Sequence, residues 1–456
     1  MNNLAIWGGI ECTQCRIGEG YYNQLTRNGH WNRISDLDAI ADLGIKTLRY
    51  PVLWEHTSPD NPDTCDWTWT DERLPRLREL GINPIAGLTH HGSGPLYTAL
   101  HEDSFAPGLA RHAANVARRY PWLTHFTPVN EPLTTARFSC LYGHWYPHTT
   151  DDRTFVRALL NQLEAIRLSM KAIREVIPHA QLVQTEDLGQ AHSTSALRER
   201  AEFENHRRWI SLDILCGKVT PEHPFWAYLT QHGAPEAELL SWVDDPCPPD
   251  IIGINHYVTS ERFLDENVAI YPEDYLTVND GVTYADVEAV RVGGVKTVGV
   301  ANLLQQTWQR FGRPIAITEV HLNSTRDEQV RWLSHVWDAA QEARQAGADV
   351  RAITVWSLLG CYDWNKLLTS NAGYYEPGAF DVRSGQLRPT LLSKLVHSLA
   401  KGRTFRHPVM QSPGWWLRPQ RVLYRHHLAE TRSADTKQLP QAPVPPQQLG
   451  HAAQAA

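Results

Sequence analysis

Apolar runs recur along the chain at Leu4–Gly9, Lys46–Val52, Ile82–Thr89, His125–Asn130, Ala180–Thr185, Asp250–Asn255, Pro314–Thr318 and Val350–Trp356. They are apolar almost throughout, and that lack of alternation predicts strands buried on both faces, as in parallel sheets. Between them lie stretches with helical spacing. Leu159, Leu163, Ile166, Met170, Ile173 and Ile177 fall on one face until Pro178 ends the pattern. Ser35 with Asp38, and Thr325 with Glu328, read as capping boxes opening two further helices, and Thr390 to Ala400 reads as the last. Eight strand–helix units in one chain predict an α/β fold, a single (β/α)₈ barrel over residues 1–403. A doubly wound sheet is the alternative, but no Gly-x-Gly-x-x-Gly follows the first strand.

Two connections are long. Residues 188–249 are expected to hold a helix or two, and 258–313 to form a loop overhanging the barrel mouth. The rhythm ends near Arg403. Residues 404–432, with Trp415 and Trp416, are expected to form an extension packed on the barrel. Residues 433–456, rich in Pro, Gln and Ala, are expected to be disordered.

In a barrel of this kind chemistry belongs at the C-terminal ends of the strands. Polar groups gather there: Arg49-Tyr50-Pro51, His90-His91-Gly92, Asn130-Glu131-Pro132, Glu186-Asp187, Asn255-His256-Tyr257, Glu319 and Trp356-Ser357. Any one of these is also what a cap or a satisfied rim residue looks like; all of them together are not. Two glutamates, Glu131 and Glu319, each close an apolar run, and glycoside cleavage needs two carboxyl groups on opposite sides of one bond.

Composition narrows the classes. The 456 residues include 43 basic and 50 acidic side chains, a net charge of −7, and no basic block, which argues against a nucleic-acid partner. No apolar run approaches a membrane span, and no charged leader precedes Leu4, so no signal peptide is expected. The seven cysteines are odd in number and scattered, which predicts reduced thiols and a cytoplasmic location. Cys12 and Cys15 form a lone Cys-x-x-Cys without the second pair that a tetrahedral zinc site needs. A metal-dependent barrel hydrolase is disfavoured because His90, His256 and His321 have no companions at cage spacing; no metal and no cofactor are expected. The 17 tryptophans and 16 tyrosines tilt towards sugars.

The strand ends resemble those of the family 1 glycoside hydrolases, retaining β-glycosidases with a (β/α)₈ barrel. Asn130-Glu131-Pro132 matches that family's acid/base motif after strand four, and Thr318-Glu319 its nucleophile motif after strand seven. Leu-Arg49-Tyr-Pro, Leu-Thr-His90-His, Asn255-His-Tyr257-Val-Thr-Ser and Trp356-Ser-Leu-Leu with Asp363-Trp364 and Gly373-Tyr374 match in order. The resemblance implies that Glu319 attacks the anomeric carbon, with Arg49 holding its pKa low and Tyr257 orienting it. Glu131 protonates the leaving oxygen, Asn130 bonds the sugar 2-hydroxyl, Trp356 stacks under the ring, and His90, Asp363 and Trp364 bind the sugar. The implied partner is a small-molecule or oligosaccharide β-glycoside; oligomeric state is left open.

Three positions depart from the family pattern. Cys15 falls where the strand-one glutamine belongs, leaving Gln14 or Glu11 to substitute. Asp363 stands for a glutamate, and His91-Gly92 for Trp-Asp. The strand-one and Asp363 departures keep open a catalytically weak sugar-binding or accessory barrel, and a transglycosidase stays open if the acceptor site favours a sugar over water.

Overall fold

The computed structural model describes residues 4–18, 20–279 and 281–425. Eight strands form a closed barrel: β1 (Ala5–Gly9), β2 (Thr47–Pro51), β3 (Asn83–Gly87), β4 (His125–Thr127), β5 (Gln181–Asp187), β6 (Ile251–Asn255), β7 (Ile315–Val320) and β8 (Val350–Val355). Neighbours pair in parallel, and β1 pairs with both β2 and β8, which closes the ring. All eight expected strands are present, because each carries apolar side chains for the barrel interior and for the surrounding helices at once.

Inside the ring the side chains form layers. Trp7, Ile85, Val183, Ile251, Ala316 and Ala352 pack as one apolar cluster. Two residues further along the same strands stand Gly9, Gly87, Thr185, Gly253, Thr318 and Thr354. Gly9 faces Arg49 in register, and Gly253 lies against Thr185 and Thr318. Polarity therefore rises towards the C-terminal mouth, where a period of two carries the sequence from apolar to hydroxyl to carboxylate and amide.

The helices fall where periodicity puts them, including Asp36–Asp42, Asp152–Val176, Arg326–Gln345 and Leu391–Ala400. The two expected capping boxes do not form: neither Ser35 nor Thr325 makes a side-chain cap bond. Glu328 instead bonds Arg331 at 2.6 Å and Arg418 at 2.7 Å through one oxygen and the Trp415 amide at 3.0 Å through the other, so both oxygens are engaged away from the helix start. Asp151, unremarked in the sequence, does cap its helix through the Thr154 amide at 2.8 Å.

The long connections are more structured than expected. Four helices, Arg198–Arg207, Ile210–Leu215, Trp226–Gln231 and Glu236–Asp244, lie between β5 and β6. Most are too short for helical period to register. After β6 the chain builds a sheet ordered Leu276–Asn279, Val282–Glu288, Glu261–Asp265, Gln190–Ser193 rather than a plain loop. Further on, Trp416 is buried edge-on against Trp332 at 5.0 Å, and Tyr424–Arg425 pairs with Val292–Gly293. Residues 426–432 of the expected extension, and the expected disordered tail 433–456, lie outside the described residues. Among the described residues no helix is long and apolar enough to cross a membrane.

Candidate active site

Thr318 and Glu319 are adjacent in β7, so strict alternation would send them to opposite faces. Both nevertheless meet residues of the barrel interior. The pairing of β7 with β6 slips between Ile317 and Glu319, and such an irregularity re-aims a side chain. Thr318 Oγ1 donates to Asn255 Oδ1 at 2.7 Å, while Glu319 Oε1 accepts from Arg49 Nη1 at 2.7 Å. The Tyr257 hydroxyl donates to the other oxygen, Glu319 Oε2. Arg49 also reaches the Thr318 carbonyl at 2.8 Å and, through Nη2, Asn130 Oδ1 at 2.6 Å, so one guanidinium ties the ends of β2, β4 and β7 together.

Glu131 occupies the left-handed region, with φ 46° and ψ 66°, a costly conformation for a residue with a side chain. Its surroundings hold it there. Its amide donates to the Thr185 carbonyl at 3.2 Å, and Asn255 Nδ2 donates to Glu131 Oε1. Glu186 accepts from the Leu133 amide at 3.0 Å and from Ser211 at 2.8 Å, pinning the segment that follows Glu131. Asn255 thus touches both Glu131 and the strand that bears Glu319. His91 Nε2 lies 3.7 Å from Glu131 Oε2, and among the described residues no Lys or Arg pairs with this carboxyl.

These surroundings separate the two acids. Burial raises Glu131 well above the usual carboxylate range, and the charges of Glu319, Asp187 and Glu186 push it further. Burial raises Glu319 too, to about 7, although Arg49 and Tyr257 oppose the rise. The expectation that Arg49 holds Glu319 low is corrected here: the cost of desolvating the carboxylate outweighs one cation and one hydroxyl. Arg49 limits the rise and leaves Glu319 the more acidic of the pair. His90 and His91 are driven neutral mainly by burial, His91 to about 3.

Beside the acids, Asn130 Oδ1 is fixed by Arg49 and by Thr185 Oγ1 at 2.8 Å, which aims its amide group inward, 3.3 Å from the Nε2 atoms of His90 and His91. Trp356 is only 4% exposed. His90 lies parallel to it at 5.2 Å and the Arg49 guanidinium sits 4.5 Å from its ring centre. Trp356 therefore forms a buried wall of the site, backed by Arg49 and His90. Glu11 stands between the indoles: Oε2 accepts from Trp356 Nε1 at 3.2 Å and Trp364 Nε1 at 3.0 Å, and Oε1 from the Thr13 amide at 2.8 Å.

Asp363, expected to bind sugar, is fully buried and engaged elsewhere. It accepts from the Tyr22 hydroxyl at 2.6 Å, Arg27 Nη2 at 3.0 Å and the Tyr374 amide at 2.7 Å. Its side chain is one methylene shorter than glutamate, and the Tyr22–Arg27 pair claims it. Of the two proposed substitutes for the strand-one glutamine, Gln14 bonds Asn23 at 3.2 Å, and Glu11 meets the tryptophans. His256 turns its ring to the Leu188 carbonyl at 2.9 Å and stacks near Trp332, while its amide bonds the Glu319 carbonyl at 3.2 Å. All seven cysteines are free thiols.

A model of glycosyl hydrolase family 1 matches residues 4–375. The chain belongs to that family. It is 26% identical over 459 residues to Beta-glucosidase 47 of Arabidopsis thaliana, covering 91% of this chain and 82% of that one. It is 22% identical over 364 residues to a 6-phospho-beta-glucosidase of Dickeya chrysanthemi, covering 70% and 73%. Among solved structures it resembles the Thermotoga maritima beta-glucosidase in complex with deoxynojirimycin, with a TM-score of 0.69, 16% identity, and coverage of 88% and 98%. Glu131 and Glu319 stand together at the barrel mouth, linked through Asn255, with Glu11, Trp356 and Trp364 beside them. Asn255 and His91 are the site residues that sequence reasoning undervalued. Each stands at a strand end beside a motif residue, and that position was the available signal.

Proposed function

We propose that this family 1 chain is a retaining glycosidase that cleaves a β-glycoside by double displacement. The observation that carries the reading is the unequal setting of two adjacent buried carboxyls. Glu319 lies between a guanidinium and a phenol, and among the described residues no Lys or Arg pairs with Glu131. Glu319 attacks the anomeric carbon; Glu131 gives its proton to the departing oxygen. Ester formation then removes the Glu319 charge that raises Glu131, whose pKa falls, so that Glu131 can take a proton from the incoming water. Asn130 donates to the 2-hydroxyl with an amide pre-aimed by Arg49 and Thr185. Attack by a sugar hydroxyl instead of water uses the same two steps and would make the enzyme a transglycosidase. Proton NMR of the first-formed sugar tests the reading. A β-anomer appearing before mutarotation supports retention, and an initial α-anomer contradicts it.

The pH profile follows from the same geometry. Glu319 must be ionised and Glu131 protonated, and both are raised. The acid limb of kcat/KM is therefore expected near pH 7, with the alkaline limb above it. Replacing Arg49 by Met removes the charge that opposes burial and should move the acid limb upwards; an unmoved or lowered limb would contradict the assignment of Glu319.

We further propose a neutral glycone. The far wall carries the Glu11 carboxyl group, His90 and His91 are neutral, and Arg27 is already paired with Asp363. A phosphate brought to this wall meets the Glu11 carboxyl group, and His90, His91 and Arg27 offer it no free positive charge. Activity on aryl 6-phospho-β-glucosides is expected to be at least about tenfold below that on the unphosphorylated glycosides, or ~1.4 kcal/mol. Parity or the reverse order in kcat/KM would refute it. The same wall counts against the sugar-binding alternative: two indole N–H donors are spent on Glu11, which weakens the grip on a glycone.

A further inference from the structure

Behind the expected nucleophile lies a second group of chemically active side chains that the glycosidase reading does not use. Cys361–Tyr362 and Tyr375–Glu376 form a small antiparallel ladder in which Cys361 stands directly opposite Glu376. Residues so placed project to one face with their Cβ atoms about 5 Å apart. His321, two residues beyond Glu319, completes the group, with Nε2 2.8 Å from Glu376 Oε2. The imidazole nitrogen, the thiol sulfur and a carboxylate oxygen all lie within 4.8 Å of one another. The three residues are 9%, 4% and 3% exposed, respectively for His321, Cys361 and Glu376. The remaining carboxylate oxygen, Glu376 Oε1, is buried without a hydrogen-bond partner, which is rare for a group of its polarity.

We infer that His321 Nε2, Cys361 Sγ and the Glu376 carboxylate form a zinc site, with a fourth position left for water or for Glu376 Oε1. One sulfur, one imidazole and one carboxylate suit zinc rather than magnesium or calcium, which take oxygen ligands. Zinc ligands at 2.0–2.3 Å stand about 3.3–3.7 Å apart, so side-chain rotations of roughly an ångström convert the cluster into a coordination shell. On binding, the thiol proton leaves to solvent. Thiolate and carboxylate then balance the ion's two charges, and the cluster passes from the single negative charge of Glu376 to neutral. The ion joins the exit of β7 to the segment after β8, a clamp beneath the site and not a reactant.

Cobalt substitution of the full chain tests this. Protein dialysed against a chelator is titrated with Co²⁺. One equivalent should give a near-ultraviolet thiolate-to-cobalt band, displaced by one equivalent of Zn²⁺ and absent in Cys361→Ser. Folded wild-type protein without the band overturns the inference. So does a band that survives in Cys361→Ser, since another thiol then holds the ion. Should Cys361→Ser not fold, Glu376→Gln decides: it should keep the band and bind zinc at least tenfold more weakly, and unchanged affinity overturns the site. None of these readouts depends on glycosidase activity.

Discussion

Replacing Glu319 by Ala is expected to lower kcat by about 10⁴- to 10⁶-fold, the scale on which loss of a covalent nucleophile is felt. The two side chains bonded to Glu319 offer no substitute nucleophile. The slip in β7 aims this one carboxyl at the interior, and its partners Arg49 and Tyr257 cannot form a glycosyl ester of comparable reactivity. A small anion such as azide, admitted to the vacated space, should restore turnover and yield the α-glycosyl azide. Full activity in Glu319→Ala, or rescue giving only the β-product, would show that the chemistry lies elsewhere.

Glu131→Ala should behave differently, because its two duties fall in different steps. General acid–base groups contribute about 10²- to 10⁴-fold. With a poor leaving group such as an alkyl alcohol, kcat/KM should drop by that amount. With 2,4-dinitrophenolate, which leaves without a proton, kcat/KM should be almost unchanged while kcat falls, since the glycosyl-enzyme now waits for unassisted water. A burst of phenolate followed by slow turnover is the expected trace. Equal losses for both leaving groups would remove Glu131 from the acid role and leave it as a charge partner of Glu319.

Much of the architecture was legible because strands buried on both faces leave unbroken apolar runs, and β1 to β8 all do. Glu131 and Glu319 were legible as carboxyls closing such runs. Their inward aim was not. For Glu319 it depends on a register slip against β6, and for Glu131 on a left-handed backbone that Asn255, Thr185 and Glu186 hold from other strands. Partners that lie far apart in the chain could not be read from it. Asp363 belongs to Tyr22 and Arg27, some 340 residues upstream, and Glu328 to Arg418 rather than to its own helix start. Arg49 was correctly paired with Glu319, but a sequence carries no measure of desolvation, and burial decides the direction of the shift. The sheet formed by Glu261–Asp265, Leu276–Asn279 and Val282–Glu288 was also passed over. Its strands are short, and the first pairs with Gln190–Ser193 from the preceding connection.

The central claim is that Glu319 bonds covalently to the sugar while Glu131 serves it. Incubation with a panel of activated 2-deoxy-2-fluoro-β-glycosides, followed by intact-mass spectrometry and peptide mapping, tests it directly. The fluorine slows the second step more than the first, so the ester accumulates. One sugar adduct per chain, on Glu319, is the predicted result. An adduct on any other residue, or folded protein that releases the activated leaving group without ever carrying an adduct, would contradict it.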